Sequence, residues 1–239
     1  MDTFILLAKI FGISFTSGIN LYATVALVGL AIRFNFITNL PDQLNILSNE
    51  YIIGTALTLY VCEFIADKIP AFDSVWDSIH TFIRPFAAAM LALMAAGDCP
   101  LYIQIIAVLV AGAVAATSHT AKSGIRLLVN TSPEPFSNSI VSIAEDIGVF
   151  VLITLILTHP IIAAIIVAIL LLIIIWFGPK LLGFIKFTLK SIALRICSFM
   201  PNDKHINVEI IPQKHDKYLN KVLEQSEKVY LTIETTFNG

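Results

Sequence analysis

The chain has 239 residues, of which 57% are hydrophobic and 13% are charged, and its mean hydropathy is +0.84. A soluble domain carries about 25% charged residues, so the composition excludes water as the main solvent of this chain. The net charge of −2 says little about partners, because the charges are unevenly distributed along the chain, and no nucleic-acid partner is predicted. The three cysteines, Cys62, Cys99 and Cys197, are too few for a disulfide framework or a paired-cysteine metal site.

Six apolar runs are candidates for transmembrane helices, because a bilayer core of about 30 Å requires roughly 20 helical residues. The runs cover residues 10–32, 51–69, 85–97, 101–118, 139–158 and 161–178. The third run is too short to span unless its helix begins earlier, in the amphipathic stretch after Phe72. We therefore predict an all-α, polytopic membrane helix bundle of about six transmembrane helices over residues 1–178.

Two further segments follow this bundle. In residues 179–200 four basic side chains are spaced among Leu, Ile and Phe, which predicts an amphipathic helix at the membrane interface, held by anionic lipid headgroups. A plain flank of the last span is the alternative. Residues 201–239 are predicted to form a cytoplasmic tail.

The orientation follows from the rule that lysine and arginine near spans stay in the cytoplasm. With the N-terminus inside, only Arg33 falls in an outer loop. The inner ends collect Lys9, Lys68, Arg84, Lys122, Arg126 and Lys180. We therefore predict a multi-pass protein of the cell (inner) membrane with both termini cytoplasmic.

A short motif occurs twice. Ser-Gly-Ile-Asn-Leu at residues 17–21 resembles Ser-Gly-Ile-Arg-Leu at residues 123–127, and an acidic helix follows each copy. Three spans per copy would give a 3+3 inverted repeat, a plan common among secondary transporters. Chance similarity of five common residue types is the alternative.

Four carboxylates lie in or at the ends of apolar runs, namely Glu63, Asp67, Glu145 and Asp146. An ionised carboxylate in hydrocarbon costs at least ~2.5 kcal/mol, so such residues face protein or water and carry a function. We predict that the two acidic pairs face each other across a polar cavity open to the cytoplasm and bind protons or cations. The alternative is that they pair with nearby bases and lock the helices together; those bases are Lys68, Lys122 and Arg126.

A second polar group precedes the third run. Asp73, Asp77, His80 and Arg84 share one helical stripe, since their spacing is i, i+4, i+7 and i+11. Two carboxylates and an imidazole on adjacent turns are candidate ligands of a divalent cation, which makes Asp73, Asp77 and His80 a candidate metal site. A solvated helix face explains the same pattern.

The stretch 130–138 interrupts the membrane runs with two prolines, Pro133 and Pro135, and several small polar residues. Broken or re-entrant backbone of this kind is tolerated where it lines a cavity, and its amides can bind a substrate. The predicted substrate contacts are Asn20, Arg126, Asn130, Ser132, Glu134, Ser137 and Asn138. A plain loop with Ser137 or Asn138 as the N-cap is the alternative.

Several of these segments together resemble a known family. They are 63–70, 73–77, 80–85, 130–138 and 144–146. In these segments the chain resembles the bacterial membrane proteins grouped as domain of unknown function 4126, over about residues 8–178. The resemblance implies the membrane class and supports the choice of residues, and it carries no activity.

The leading hypothesis for function is a small transporter or channel-like permease with a proton- or cation-binding carboxylate centre and no cofactor. Its partners would be membrane lipids and a small solute or ion. The sequence leaves open whether the chain forms a homo-oligomer. A second hypothesis is a metal-dependent membrane enzyme that acts on lipid or isoprenoid headgroups through Asp73, Asp77, His80 and a divalent cation. The chain has no glycine loop for phosphate and no nucleophile beside a base, which weighs against an enzyme. A non-catalytic assembly factor is the third.

Overall fold

A computed structural model describes residues 3–36, 40–130 and 135–198, and every regular element within these ranges is helical. The helices are α1 (Thr3–Ile19), α2 (Leu21–Arg33), a 3-10 helix (Asp42–Ser48), α3 (Glu50–Ala66), α4 (Pro70–Ala95), α5 (Leu101–Asn130), α6 (Pro135–Thr158) and α7 (Pro160–Ser198). Ser132, Glu134, the side chain of Asn130 and the predicted tail 201–239 lie outside the described residues.

Four helices are long and apolar enough to cross a membrane. They contain the segments Phe72–Ala95, Leu101–Val129, Ser137–Thr158 and Pro160–Lys180. Large apolar side chains cover their outer surface; Phe82 is 80% exposed, Phe86 71% and Trp176 67%. Because a surface of this kind is stable only in lipid, the protein is a helical membrane protein.

Helix α4 shows an inside-out distribution of polarity. The stripe of Asp73, Asp77, His80 and Arg84 is at most 5% exposed, so the alternative of a solvated helix face is wrong. Apolar side chains cover the opposite face from Phe72 onward. The helix begins at Pro70, which supplies the length that the third apolar run lacks. Its polar stripe points inward because its other face lies against lipid.

The first apolar run, predicted as one span, is divided at Asn20. Asn20 has extended backbone and its side-chain oxygen accepts a hydrogen bond from the Ala23 amide, so it ends α1 and caps α2. In one continuous helix Ile10 and Val28 would be about 27 Å apart at 1.5 Å per residue. Instead both line one small apolar cavity. The chain therefore reverses at Asn20, and α1 and α2 form a helical hairpin.

The hairpin is packed closely against the spanning helices. Helix α1 contacts α4, α5 and α6, and α2 contacts α3 and the 3-10 helix. Gly18 lies so near Ala115 and Ser118 of α5 that a Cβ would overlap both residues. Small residues let membrane helices approach closely, as Gly18 does here, and several alanines of α4 and α5 are buried in the core.

Two of the predicted regions differ from the structure or stay untested. Helix α7 continues through Pro179 to Ser198, so no helix boundary falls at the predicted junction between bundle and interfacial segment. The chain divides into two compact units, Met1–Thr188 and Leu189–Gly239. The interfacial role of 179–200 stays a prediction.

The two copies of the repeated motif differ in conformation. Asn20 lies between two helices, whereas Arg126 lies inside the continuous helix α5. An inverted repeat is therefore not shown.

Candidate functional site

Nine ionisable side chains of α3 to α6, and of the turn after α3, come together inside the bundle, and we name them the ionic cluster. The acids are Glu63, Asp67, Asp73, Asp77, Glu145 and Asp146, and the bases are Arg84, Lys122 and Arg126. All except Glu145 and Asp146 are at most 5% exposed. The cluster therefore contains most of the charge that the sequence places within apolar segments.

Glu63 of α3 lies at the centre of the cluster and is fully buried. Its Oε1 accepts a hydrogen bond of 2.6 Å from Nη2 of Arg84 and another of 3.0 Å from Nζ of Lys122. One carboxylate oxygen thus ties α3 to α4 and to α5. Two charge-assisted bonds of this length hold an ionised carboxylate firmly.

Lys122 brings the two predicted acidic pairs together. Besides Glu63, its Nζ lies 3.6 Å from Oδ2 of Asp67 and 3.8 Å from Oε2 of Glu145. The acids of the third and sixth helices therefore converge, as the sequence predicts. They also pair with Lys122, one of the bases named in the alternative, so convergence and neutralisation occur together.

Arg126 closes the end of the cluster where α3 stops and α6 starts. Its Nη2 lies 2.7 Å from both Asp67 Oδ2 and Glu145 Oε2. Its Nη1 donates to the Asp67 carbonyl and to Oδ1 of Asn138. Asn138 in turn donates to the same carbonyl at 2.7 Å. In this structure Arg126 and Asn138 bind protein groups, whereas the sequence predicts that they bind substrate.

The alternative reading of Asn138 as an N-cap is wrong. Helix α6 begins at Pro135, so Ser137 and Asn138 lie within its first turn. Proline is favoured there because its missing N–H would have no partner in the first turn. The backbone of 131–134 lies outside the described residues, so the predicted re-entrant segment stays a prediction.

Arg84 joins the cluster to the hairpin. Its Nη1 donates to the Gly18 carbonyl and to Nδ1 of His119, each at 2.9 Å. An arginine only donates, so His119 Nδ1 must accept and the imidazole is neutral. The proton then lies on Nε2, which is 3.1 Å from the Asp77 carbonyl. Sequence reasoning missed His119, although its spacing to Lys122 and Arg126 puts all three on one stripe of α5.

The hairpin tip presents its two helix ends to Arg84 on one side and to the carboxyl group of Asp146 on the other. The carbonyl end of α1 meets Arg84 through Gly18. The amino end of α2 begins at Asn20, whose side-chain nitrogen donates to Oδ1 of Asp146 at 3.0 Å. The first arrangement agrees with the dipole of α1, whose carbonyl end attracts a positive charge. Discontinuous helices bind ions and substrates in this way in many transporters.

The structure does not assemble Asp73, Asp77 and His80 as a metal site. Nε2 of His80 is 2.9 Å from the Tyr22 hydroxyl and Nδ1 is 2.7 Å from the Trp76 carbonyl, so both ring nitrogens are occupied. Across the described ranges no three His, Cys, Asp or Glu side chains lie close enough together to hold a metal ion. The imidazole packs instead against the Trp76 ring, 4.7 Å between centroids.

The predicted cavity open to the cytoplasm is absent at these acids in this conformation. Glu63 is 0% and Asp67 2% exposed. The long side chains of Arg84, Lys122 and Arg126 fill the space that the prediction assigns to water. The structure is therefore closed around Glu63 and Asp67, whereas Glu145 and Asp146 are only partly buried.

The charge of the cluster is unbalanced. Among the described residues six acids face three bases, and one further base, Lys68, lies close enough to interact with Asp67 and Asp146. At least two negative charges remain if every acid is ionised. Several buried oxygens also have no hydrogen-bond partner among the described residues, including Glu63 Oε2 and Asp77 Oδ1. Uncompensated buried charge is costly, so the excess negative charge requires a further positive charge, such as a proton or another cation.

The comparisons with known proteins give one match. No curated protein and no solved structure is similar to the chain. The family model described as "Domain of unknown function (DUF4126)" matches residues 7–180, which contain the hairpin, the four long apolar helices and the whole ionic cluster. The chain belongs to this family of uncharacterised membrane proteins.

Proposed function

We propose that the protein is a small transporter or channel-like permease whose ionic cluster binds a proton or another cation during transport. The observation that carries the proposal is the excess of carboxylates over bases in the interior of a membrane bundle. A purely structural lock would be most stable with equal numbers of both charges. An excess of acids is the arrangement expected of a site that takes up positive charge.

The hairpin supports the same proposal. Its tip contacts the cluster on both sides of the break, through Gly18 to Arg84 and through Asn20 to Asp146. Because both links join the tip to ionisable groups, a change in the charge of the cluster would change these hydrogen bonds. In this proposal the closed structure is one state, and an open state gives the solute access to Glu63 and Asp67.

The localisation belongs to the proposal as well. A bacterial inner membrane supplies the proton gradient that such a permease uses. The sidedness is open, because four of the six bases used to predict it, Lys9, Arg84, Lys122 and Arg126, are buried inside the protein. Buried, paired bases do not report on the positive-inside rule, which concerns loops.

The test is ion flux in proteoliposomes that hold the purified full-length chain. Separate gradients of H⁺, Na⁺ and K⁺ are imposed, with and without pools of small solutes, and internal pH and charge movement are recorded. We expect flux from the wild type that falls at least tenfold in Asp146→Asn and Glu145→Gln. The matched control is Glu50→Gln, which changes an exposed acid outside the cluster and should keep wild-type flux.

Two results would reject the proposal. One is a wild type that moves none of the three ions, with any solute pool, faster than empty liposomes. The other is flux that is the same in the wild type and in both cluster variants, which would separate transport from the carboxylates.

A further inference from the structure

Five of the six acids of the ionic cluster fall into two classes according to their partners, and the sixth, Asp73, lies 3.8 Å from Nη1 of Arg126. Glu63, Asp67 and Glu145 each accept a hydrogen bond of 2.6 to 2.7 Å from an arginine. Asp77 has Nη2 of Arg84 at 3.8 Å, beyond hydrogen-bond distance, and that nitrogen is bound to Glu63. Asp146 has no basic group within 4 Å in the described part of the chain, and its partner at 3.0 Å is the neutral amide of Asn20.

The surroundings of Asp77 favour its neutral form. Its side chain is 5% exposed, and its Oδ1 has no hydrogen-bond partner among the residues described. The charged and titratable groups that face it are Arg84 and His80 from α4, Glu63 and Asp67 from α3 and its end, and Lys122 and neutral His119 from α5. Glu63 takes the hydrogen bonds of Arg84 Nη2 and of Lys122, so Asp77 receives a hydrogen bond from neither of these groups.

Asp146 is in a similar position on the other side of the hairpin tip. Its Oδ2 is shielded from solvent and has no hydrogen-bond partner in the described ranges. The groups that face it are Asn20 at the hairpin tip, Tyr60 and Asp67 from α3 and its end, Lys68 beyond them, and Lys122 from α5. Asn20 and Tyr60 are neutral, and Lys122 is bound to Glu63.

A metal ion fits these oxygens poorly. A hard divalent cation takes six to eight oxygens at about 2.3–2.6 Å, which requires several acids around one point. Throughout the described residues no three His, Cys, Asp or Glu side chains meet in that way. A proton needs only one oxygen, which Asp77 and Asp146 can each provide.

We propose that Asp77 and Asp146 are neutral carboxyl groups in the closed state and each hold one proton, whereas Glu63, which is bound by two bases, is ionised. This inference deepens the proposed function, because it names H⁺ as the coupled ion and moves its site from the paired acids to Asp77 and Asp146. Release of the two protons would leave two buried negative charges beside Arg84 and the hairpin tip.

The experiment counts protons and needs no transport. The full chain in detergent is unfolded by guanidinium chloride in weakly buffered solution at pH 7, and the released protons are measured with an indicator dye. Unfolded aspartates ionise with pKa values near 4, so any proton held at pH 7 in the folded state is released. We expect Asp77→Asn and Asp146→Asn each to release one proton fewer than the wild type, and Glu50→Gln to release the same number.

An infrared measurement on the wild type keeps the test decisive if an aspartate variant fails to fold. A neutral carboxyl has a C=O stretching band that an ionised one lacks, and the band shifts in D2O. Absence of this band at pH 7, or proton counts that agree among the wild type and both variants, would overturn the inference. So would a proton release that falls when NaCl replaces choline chloride, since this would indicate Na⁺ in place of H⁺. Neither measurement involves flux. The proposed function can therefore fail while this inference holds, and this inference can fail while the proposed function holds.

Discussion

Glu63 shows why single residues in the ionic cluster control stability. Its carboxylate is fully buried and compensates Arg84 and Lys122, which are themselves almost fully buried. Replacing one partner of a buried ion pair costs about 3–5 kcal/mol, because the remaining charge stays buried without compensation. We therefore expect Glu63→Gln to lower the free energy of unfolding by about that amount, as measured by denaturant unfolding in detergent.

The surface pair of Arg33 and Glu50 is the matched control. Its atoms are 3.6 Å apart and the side chains are 47% and 66% exposed. Exposed pairs of this kind contribute roughly 0–1 kcal/mol, so the same Glu to Gln change at residue 50 should have a small effect. If Glu50→Gln and Glu63→Gln lowered the free energy of unfolding equally, burial would not be what makes the Glu63 ion pairs important for stability.

Residue-level reasoning from the sequence found the acids but missed how they are compensated. An acid in an apolar run is visible because it breaks the hydrophobic pattern, as Glu63 and Glu145 do. The choice between Arg84, Lys122 and Arg126 as its partner depends on distances between helices, which one sequence does not contain. His119 was missed because a single histidine at the end of an apolar run resembles an ordinary boundary residue.

At the level of elements, α4 and the hairpin show what periodicity can and cannot predict. The i, i+4, i+7, i+11 spacing correctly predicts one polar stripe on α4, but the pattern is the same whether that stripe faces water or the interior. The surrounding solvent determines which way the stripe faces, and in lipid the polar side of the helix turns inward. The reversal at Asn20 leaves an even weaker signal, since one asparagine in a long uncharged run also fits a continuous span.

The contact between α1 and α5 yields a prediction about packing. A Cβ on Gly18 would overlap the Ala115 backbone and the Ser118 hydroxyl, and backbone cannot move away without shifting a helix. Such overpacking costs about 1–3 kcal/mol. We expect Gly18→Ala to lower the unfolding temperature in detergent and to disturb the bond from Arg84 to the Gly18 carbonyl.

Gly148 of α6 is the control for that substitution. It also lies inside a helix, but a Cβ there meets nothing within 4 Å. Alanine is favoured over glycine in a helix by about 1 kcal/mol, so Gly148→Ala should keep or raise the unfolding temperature. A loss of stability at residue 148 as large as that at residue 18 would show that the α1–α5 contact is not the cause.

For the whole molecule, composition is sufficient to predict the membrane class, because a chain with 57% hydrophobic residues has no stable fold in water. It is not sufficient to count the spans. Within the described ranges helix length and hydropathy identify four. Helix α3 is shorter, at 17 residues, although its outer side chains such as Tyr51 and Ile65 are exposed and apolar. Whether the run 10–32 crosses the bilayer depends on its reversal, which only the contacts between α1 and α2 reveal.

The hairpin makes a prediction about topology that differs from the one drawn from the sequence. If α1 and α2 reverse at Asn20, then Phe4 and Phe36 lie toward the same face of the membrane. That face is also the one of Asp98, because Ile10 lies beside Ala92 and Ala95 at the same end of α4, whereas Ile69 precedes the other end. A continuous span would put Phe4 and Phe36 on opposite faces.

Single cysteines test this directly, with the native cysteines replaced by serine. Phe4, Phe36, Asp98 and Ile69 are each exposed, so a cysteine at each position is within reach of a thiol reagent that does not cross membranes. In right-side-out and inverted vesicles we expect the cysteines at 4, 36 and 98 to be labelled from one side and the cysteine at 69 from the other. Labelling of residue 4 together with residue 69 would restore the continuous first span and, with it, the cytoplasmic N-terminus that the positive-inside count predicts.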